Sequence, residues 1–181
     1  TMYRLIFYVL IFLVIVASVF SFFKFLPFDP INIIFSAVLL IASCWVTNQL
    51  FARIFKVPTN LESVYVTALI LTLIITPANS LQGLLFLGLA GFLSQASKYI
   101  LVFKKKHIFN PAALAVAILG GASWWVGTTW MVPFIIVGGL LIVRKIRKFN
   151  LVLAFFLTAL IFNLSLISKN AFLETPVLFF A

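Results

Sequence analysis

The chain has 181 residues, 65% of them apolar and only 9% charged, with a mean hydropathy of +1.27. A soluble domain carries about a quarter charged residues, so this chain cannot cover itself with polar surface and lipid must be its solvent. The net charge of +10 raises nucleic acid as a partner, but the 13 cations stand between apolar runs, which fits a membrane instead. The single cysteine, Cys44, lies in a hydrophobic stretch, so no disulfide within the chain is available and a packing role is expected. The start at Thr1 lacks a signal-like basic region and Val177 to Ala181 is an apolar run, so both ends read as cuts in a longer protein.

A membrane-crossing helix needs about 20 apolar residues. Leu5 to Leu26 is the first span, stopped by Pro27, and Ile31 to Phe51 is the second, opened by Asp29-Pro30. The third, Leu61 to Thr76, starts with a capping-box pattern, Thr59 and Glu62, and ends before Pro77. The fourth runs from Leu81 to Phe103, with Gly83, Gly88, Gly91 and Ser94 giving it thin faces. The fifth opens at Asn110-Pro111, an N-cap followed by proline at the first helical position, and reaches Gly120-Gly121 or continues to Val126. Trp130 to Val143 is the sixth, Phe149 to Ile167 the seventh, and an eighth begins after Pro176.

The cations fall almost wholly in alternate loops. Arg4, Arg53, Lys56, Lys98, Lys104, Lys105, Lys106, Arg144, Lys145, Arg147 and Lys148 share one side, against Lys24 and Lys169 on the other. The positive-inside rule then gives a cytoplasmic N-terminus and places Trp124, Trp125 and Trp130 at the outer interface. The expected fold is therefore all-α: a single polytopic transmembrane bundle over residues 1–181, with seven spans, the start of an eighth and some short or broken helices, in the inner (plasma) membrane.

Several chemistries are excluded by what is missing. One thiol cannot hold an iron–sulfur cluster, the lone His107 does not supply the ligands of a haem crossing the bundle, and no zinc-ligand cluster exists. Asp29, Glu62 and Glu174 sit at segment ends, leaving no carboxylate at membrane depth for ion coupling. Glu62 is read as a capping residue, His107 as a surface residue, and Lys104 to Lys106 as a topology determinant.

The polar residues at depth are neutral and gather toward the cytoplasmic half: Asn48, Gln49, Ser63, Thr67, Ser94, Gln95 and Ser97, with Lys98 and Asn110 beside them. Singly, each reads as helix–helix glue; together they read as a site. Helix five, about 15 Å long over its ten core residues, would aim free amides and a positive dipole end at whatever lies at its start. Ala113, Ala117 and Gly121 form a small-residue stripe on it. For Asn110, plain capping and a ligand role stand level.

The stretch Ser63-Val64-Tyr65-Val66-Thr67-Ala68-Leu69-Ile70-Leu71 before Pro77 is similar to the third helix of the RnfD/NqrB family, membrane subunits of ion-translocating ferredoxin–NAD and NADH–quinone oxidoreductases. Ser97-Lys98-Tyr99 and His107-Ile108-Phe109-Asn110-Pro111-Ala112-Ala113-Leu114 resemble that family's pattern around its fifth helix. The likeness covers Leu61 to Leu119. It implies a flavin-bearing electron-transfer module of about ten helices. The family's Ser-Gly-Ala-Thr-like attachment run does not occur here, so the flavin, FMN or riboflavin, is expected to be bound non-covalently or to be attached in a part beyond this chain.

On that resemblance, electrons would come from a cytoplasmic NAD(P)H- or ferredoxin-linked reductase domain or subunit and pass on to quinone or another flavin. Ser63 and Thr67 would flank the ring on one side, and Asn110 with the Pro111 and Ala112 helix start on the other. Lys98 would offset negative charge. Two other classes stand beside this reading: a transporter or channel for a small neutral solute, and a structural subunit whose polar residues only join helices.

Overall fold

The structure, a computed structural model, describes residues 2–103, 106–121, 123–147, 149, 150, 152–154, 156–158, 160 and 161. The chain forms two compact units, Thr1–Gly138 and Gly139–Ala181. The first holds five helices in an up-and-down arrangement: α1 (Met2–Phe22), α2 (Pro30–Phe55), α3 (Leu61–Ile74), α4 (Leu81–Ile100) and α5 (Pro111–Leu119). A sixth, α6 (Val132–Ile146), carries the chain from the first unit into the second, where the described residues from 149 to 161 are again helical. The end of the expected seventh span and the start of the eighth lie outside the described residues.

Local chemistry sets these boundaries. Asp29 caps α2 by accepting from the Ile31 amide, with Pro30 at the first helical position, and Lys56 closes the helix in the left-handed conformation at φ 53°. At α3 the cap is Asn60, whose side chain accepts from the Ser63 amide, and not the expected Thr59; Glu62 is ion-paired with Arg4. The helix stops at Ile74 because Thr76 precedes Pro77, which disfavours helical backbone at the residue before it. Ser80 caps α4.

Beyond Ile100 the chain leaves the helix for a two-residue antiparallel β-hairpin, β1 (Val102–Phe103) with β2 (Lys106–His107), where the sequence suggested continued helix. Helix α5 ends at Gly120 with φ 67°, the usual left-handed stop, and does not run on to Val126. Instead Trp125–Gly127 is a 3-10 turn.

Two helices, α1 and α2, are long and apolar enough to cross a membrane, and only 17% and 33% of their most apolar stretches are buried in the protein. Seven such helices are not seen among the described residues: α3 has 14 residues and α5 nine.

Within the first unit α2 is central, packed most extensively on α4 and then on α3, while α1 packs on α3 and α5 on α4. Small residues bring α2 and α4 together: a Cβ at Gly91 would lie 2.7 Å from the Ser43 hydroxyl, which itself donates to the Gly88 carbonyl. On α5 the buried face is Ala112, Ala115 and Val116; Ala113 and Ala117 of the expected stripe are exposed. Gly121 packs against the Phe86 ring near the start of α4.

Contacts fix which helix ends share a side. The Arg4–Glu62 pair joins the starts of α1 and α3, and Tyr99 near the end of α4 stacks on Phe51 and Phe55 near the end of α2. At the opposite end Phe25 meets Trp130, Phe28 meets Trp125, and Ser36 near the start of α2 accepts from the Ala78 amide. Trp124 and Trp130 are exposed there, but Trp125 is buried, its indole donating to the Thr72 carbonyl.

Candidate functional site

The end shared by the start of α3 and the ends of α2 and α4 buries a lysine. Lys98 is on the last turn of α4, 9% exposed, and its ammonium donates to the Ser63 carbonyl at 3.1 Å, the Ser63 hydroxyl at 3.2 Å and the Thr67 hydroxyl at 2.9 Å. Ser63 and Thr67 are one turn apart on α3, so helical geometry stacks them on one face. The Thr67 hydroxyl in turn donates to the Ser63 carbonyl at 2.8 Å. All three acceptors are neutral. A buried charge is costly, and these three hydrogen bonds offset part of that cost.

A second polar layer lies between α2 and α4. Cys44 and Asn48 share a face of α2, and Ser94, Gln95 and Lys98 follow one another around α4. The Cys44 thiol is 3.7 Å from both the Ser94 hydroxyl and the Gly91 carbonyl. The Tyr99 hydroxyl donates to Asn48 Oδ1 at 2.7 Å. Gln95 is fully buried, yet neither its Nε2 nor its Oε1 has a hydrogen-bond partner, and Asn48 Nδ2 has none either. The Cys44 thiol lies beside Gln95, but sulfur is a weak partner for an amide. Each unmet polar group buried away from water costs about 1–3 kcal/mol, so this layer is incomplete as protein alone.

Asn110 behaves as a cap: its Oδ1 accepts from the amides of Ala112 and Ala113, at 3.1 and 3.4 Å. Pro111 has no N–H to offer, so the first amides of α5 are already engaged. Ala112 is buried in the apolar cluster that includes Val64 and Ala68 of α3. The structure therefore brings Ser63, Thr67 and Lys98 into direct contact, and uses Asn110, Pro111 and Ala112 to seat α5 against α3 and α4. His107 lies on β2.

The sequence placed Asn48, Gln95 and Ser94 at this depth without assigning them roles, and treated Cys44 as packing. The four-residue spacing of Cys44 and Asn48, and of Ser94 and Lys98, signals a shared face on each helix; which faces meet is a matter of tertiary register. Compared with models of known families, with curated proteins and with solved structures, the chain matches none.

Proposed function

We propose that this chain is a multi-pass membrane module that binds a flavin non-covalently at the junction of α2, α3 and α4 and relays electrons there. The observation that carries the reading is the buried Lys98 ammonium, hydrogen-bonded to Ser63 and Thr67 next to a layer of buried amide atoms of Asn48 and Gln95. Those are the features expected of residues that complete themselves on a polar, electron-accepting ring.

The membrane setting is supported by α1 and α2, whose large apolar side chains, Phe12, Ile15, Ile34, Val38 and Val46 among them, are exposed. Such surface on a soluble protein would be far larger than monomers normally show. In the proposed topology α1 and α2 cross the bilayer from a cytoplasmic N-terminus, with the shorter apolar helices packed against them at membrane depth. The alternation of α1 to α5 agrees with it, because Arg4, Arg53, Lys56 and Lys98 all lie near one end.

When bound, a flavin supplies the one- and two-electron chemistry that side chains lack. The protein's part is electrostatic and geometric. Ser63 and Thr67 hold the Lys98 ammonium in place, and that charge would offset negative charge on a bound flavin. Asn110, Pro111 and Ala112 fix the start of α5 and so close the apolar side of the junction. A cytoplasmic NAD(P)H- or ferredoxin-linked reductase part would feed electrons in from the basic side, with quinone as an onward acceptor.

The test is the visible absorption spectrum of the protein purified in detergent, before and after dithionite, together with Lys98→Met. Yellow protein with bands that bleach on reduction is expected. Lys98→Met should lower flavin retained per chain about tenfold, since a hydrogen bond to a charged group is worth roughly 1.5–3 kcal/mol and 1.4 kcal/mol is tenfold. Colourless wild-type protein would overturn the reading, and saturable uptake of a neutral solute into liposomes would replace it.

A further inference from the structure

We infer that the loop joining α1 to α2 seats the headgroup of a zwitterionic lipid with a primary ammonium, phosphatidylethanolamine, in the leaflet at the tryptophan end. The inference rests on the membrane setting proposed above and is independent of the flavin.

The loop borders a cavity of about 480 Å³, lined by Ser21, Phe22, Lys24, Leu26, Phe28 and Asp29 together with two prolines. Local chemistry sets the two charges on it. At the end of α1 the Phe25 amide donates to the Phe20 carbonyl at 2.9 Å and the Lys24 amide to the Ser21 carbonyl at 3.0 Å, with the Phe25 ring edge-on to Phe20. That stop holds Lys24 in the left-handed conformation at φ 60° through its backbone alone, so its ammonium is uncommitted. Asp29 caps α2 with one oxygen, Oδ1, and the other accepts no hydrogen bond among the described residues. Both side chains are exposed, and neither forms an ion pair with any described residue. Beside them Ser21 is 3% exposed, and its hydroxyl has no hydrogen-bond partner.

One cation, one anion and one unmet hydroxyl around one cavity call for a ligand that carries both signs of charge. A phosphate diester matches Lys24 and, directly or through one water, the Ser21 hydroxyl. A primary ammonium then donates to the free oxygen of Asp29. A choline headgroup has no N–H to give Asp29, and a glycerol headgroup has no cation at all. The rim decides between a lipid and a soluble zwitterion. Phe22, Phe23 and Ile31 are 71%, 64% and 71% exposed, apolar surface that acyl chains cover and a small soluble molecule does not. Phe25 meets the exposed Trp130 at a centroid distance of 5.0 Å, and tryptophan gathers at headgroup depth.

The experiment titrates the protein, in detergent micelles, with phosphatidylethanolamine, phosphatidylcholine and phosphatidylglycerol of matched acyl chains, and counts retained lipid by native mass spectrometry. Wild-type protein should retain phosphatidylethanolamine about tenfold more tightly than the other two, one charge-assisted hydrogen bond's worth of discrimination. Soluble phosphoethanolamine should not displace it. Asp29→Asn keeps a capping oxygen for α2 but loses the charge, and should bring phosphatidylethanolamine down to the level of phosphatidylcholine. Lys24→Gln should weaken all three lipids alike, since all three carry the phosphate. Equal retention of the three lipids by wild-type protein, or an unchanged preference in Asp29→Asn, would overturn the inference and leave the membrane setting standing. Displacement by phosphoethanolamine would overturn the lipid in favour of a soluble zwitterion. Wild-type protein that does not insert into phospholipid vesicles would overturn the membrane setting as well. Should a variant fail to fold, the wild-type ranking of the three lipids decides alone.

Discussion

The two ends of the first unit bury polar groups in opposite ways. At the tryptophan end the protein answers its own demands: Trp125 donates to the Thr72 carbonyl at 2.9 Å, the Ser123 hydroxyl to the Ile74 carbonyl at 3.0 Å, and Ser36 accepts from the Ala78 amide at 2.9 Å. The atoms left over there are the single hydroxyls of Ser21 and Thr128, rotors that one water can satisfy. At the basic end the leftover atoms are amide groups with fixed donor and acceptor directions, beside a buried lysine hydrogen-bonded to Ser63 and Thr67. One end is complete as a loop closure. The other leaves amide atoms that the protein alone does not satisfy, and the proposed flavin is placed there for that reason.

The sharpest way to break the contrast is to separate α2 from α4. Gly91→Leu would place a side chain where a Cβ already falls 2.7 Å from Ser43 Oγ and 2.9 Å from Ser43 Cβ. Over-packing of that kind costs about 3 kcal/mol at the upper end of its usual range, read as a fall in melting temperature in detergent. Flavin retention should fall with it, because Cys44 and Asn48 move away from Ser94 and Gln95. Gly88→Leu is the control: nothing lies within 4 Å of its Cβ position, so stability and retention should both survive. Loss of stability in Gly91→Leu with retention intact would show that the amide layer does not depend on this close approach.

Much of the contrast was legible in the sequence, and the parts that were not share a cause. Asp29-Pro30 and Asn110-Pro111 announced helix starts because capping chemistry is local. The meeting of Lys98 with Ser63 and Thr67 was anticipated only as shared depth, since alternating charge fixed which helix ends lie together. Thr59 and Asn60 are adjacent and both able to cap, and only backbone geometry chose Asn60. The small-residue stripe on α5 was placed on the wrong face, because in a nine-residue helix made, after Pro111, of Ala, Val, Ile and Leu alone nearly every face looks apolar. Two-residue strands leave no periodicity to read, so the hairpin after α4 was invisible. Trp125 was expected at the interface with its neighbours; its burial depends on reaching the Thr72 carbonyl across the chain.

A smaller effect is expected from Trp125→Phe. The ring volume is largely kept, but the Thr72 carbonyl loses its indole donor and stays buried. The cost should be about 1–2 kcal/mol, seen as a modest fall in melting temperature. Flavin retention among folded molecules should not change, because nothing at this end is proposed to touch the ring. A drop in retention matching that of Lys98→Met would mean that the two ends are coupled and that the division drawn between them is wrong.

The smallest effect belongs to Arg4→Gln. Arg4 Nε lies 3.1 Å from Glu62 Oε1, with side chains 67% and 39% exposed. Exposed pairs of this kind contribute below about 1 kcal/mol, so the melting temperature should barely move. Flavin retention is the more telling reading. Glu62 is next to Ser63, and removing Arg4 leaves its carboxylate less balanced near the Lys98 cluster. If the buried ammonium, fixed by Ser63 and Thr67, sets the charge felt by the ring, retention should stay within about twofold, because an exposed charge acts through a high local dielectric. Retention that fell as far as in Lys98→Met, and recovered at low ionic strength, would instead put the determinant in the surface cations as a group. The basic end would then be a field and not a site.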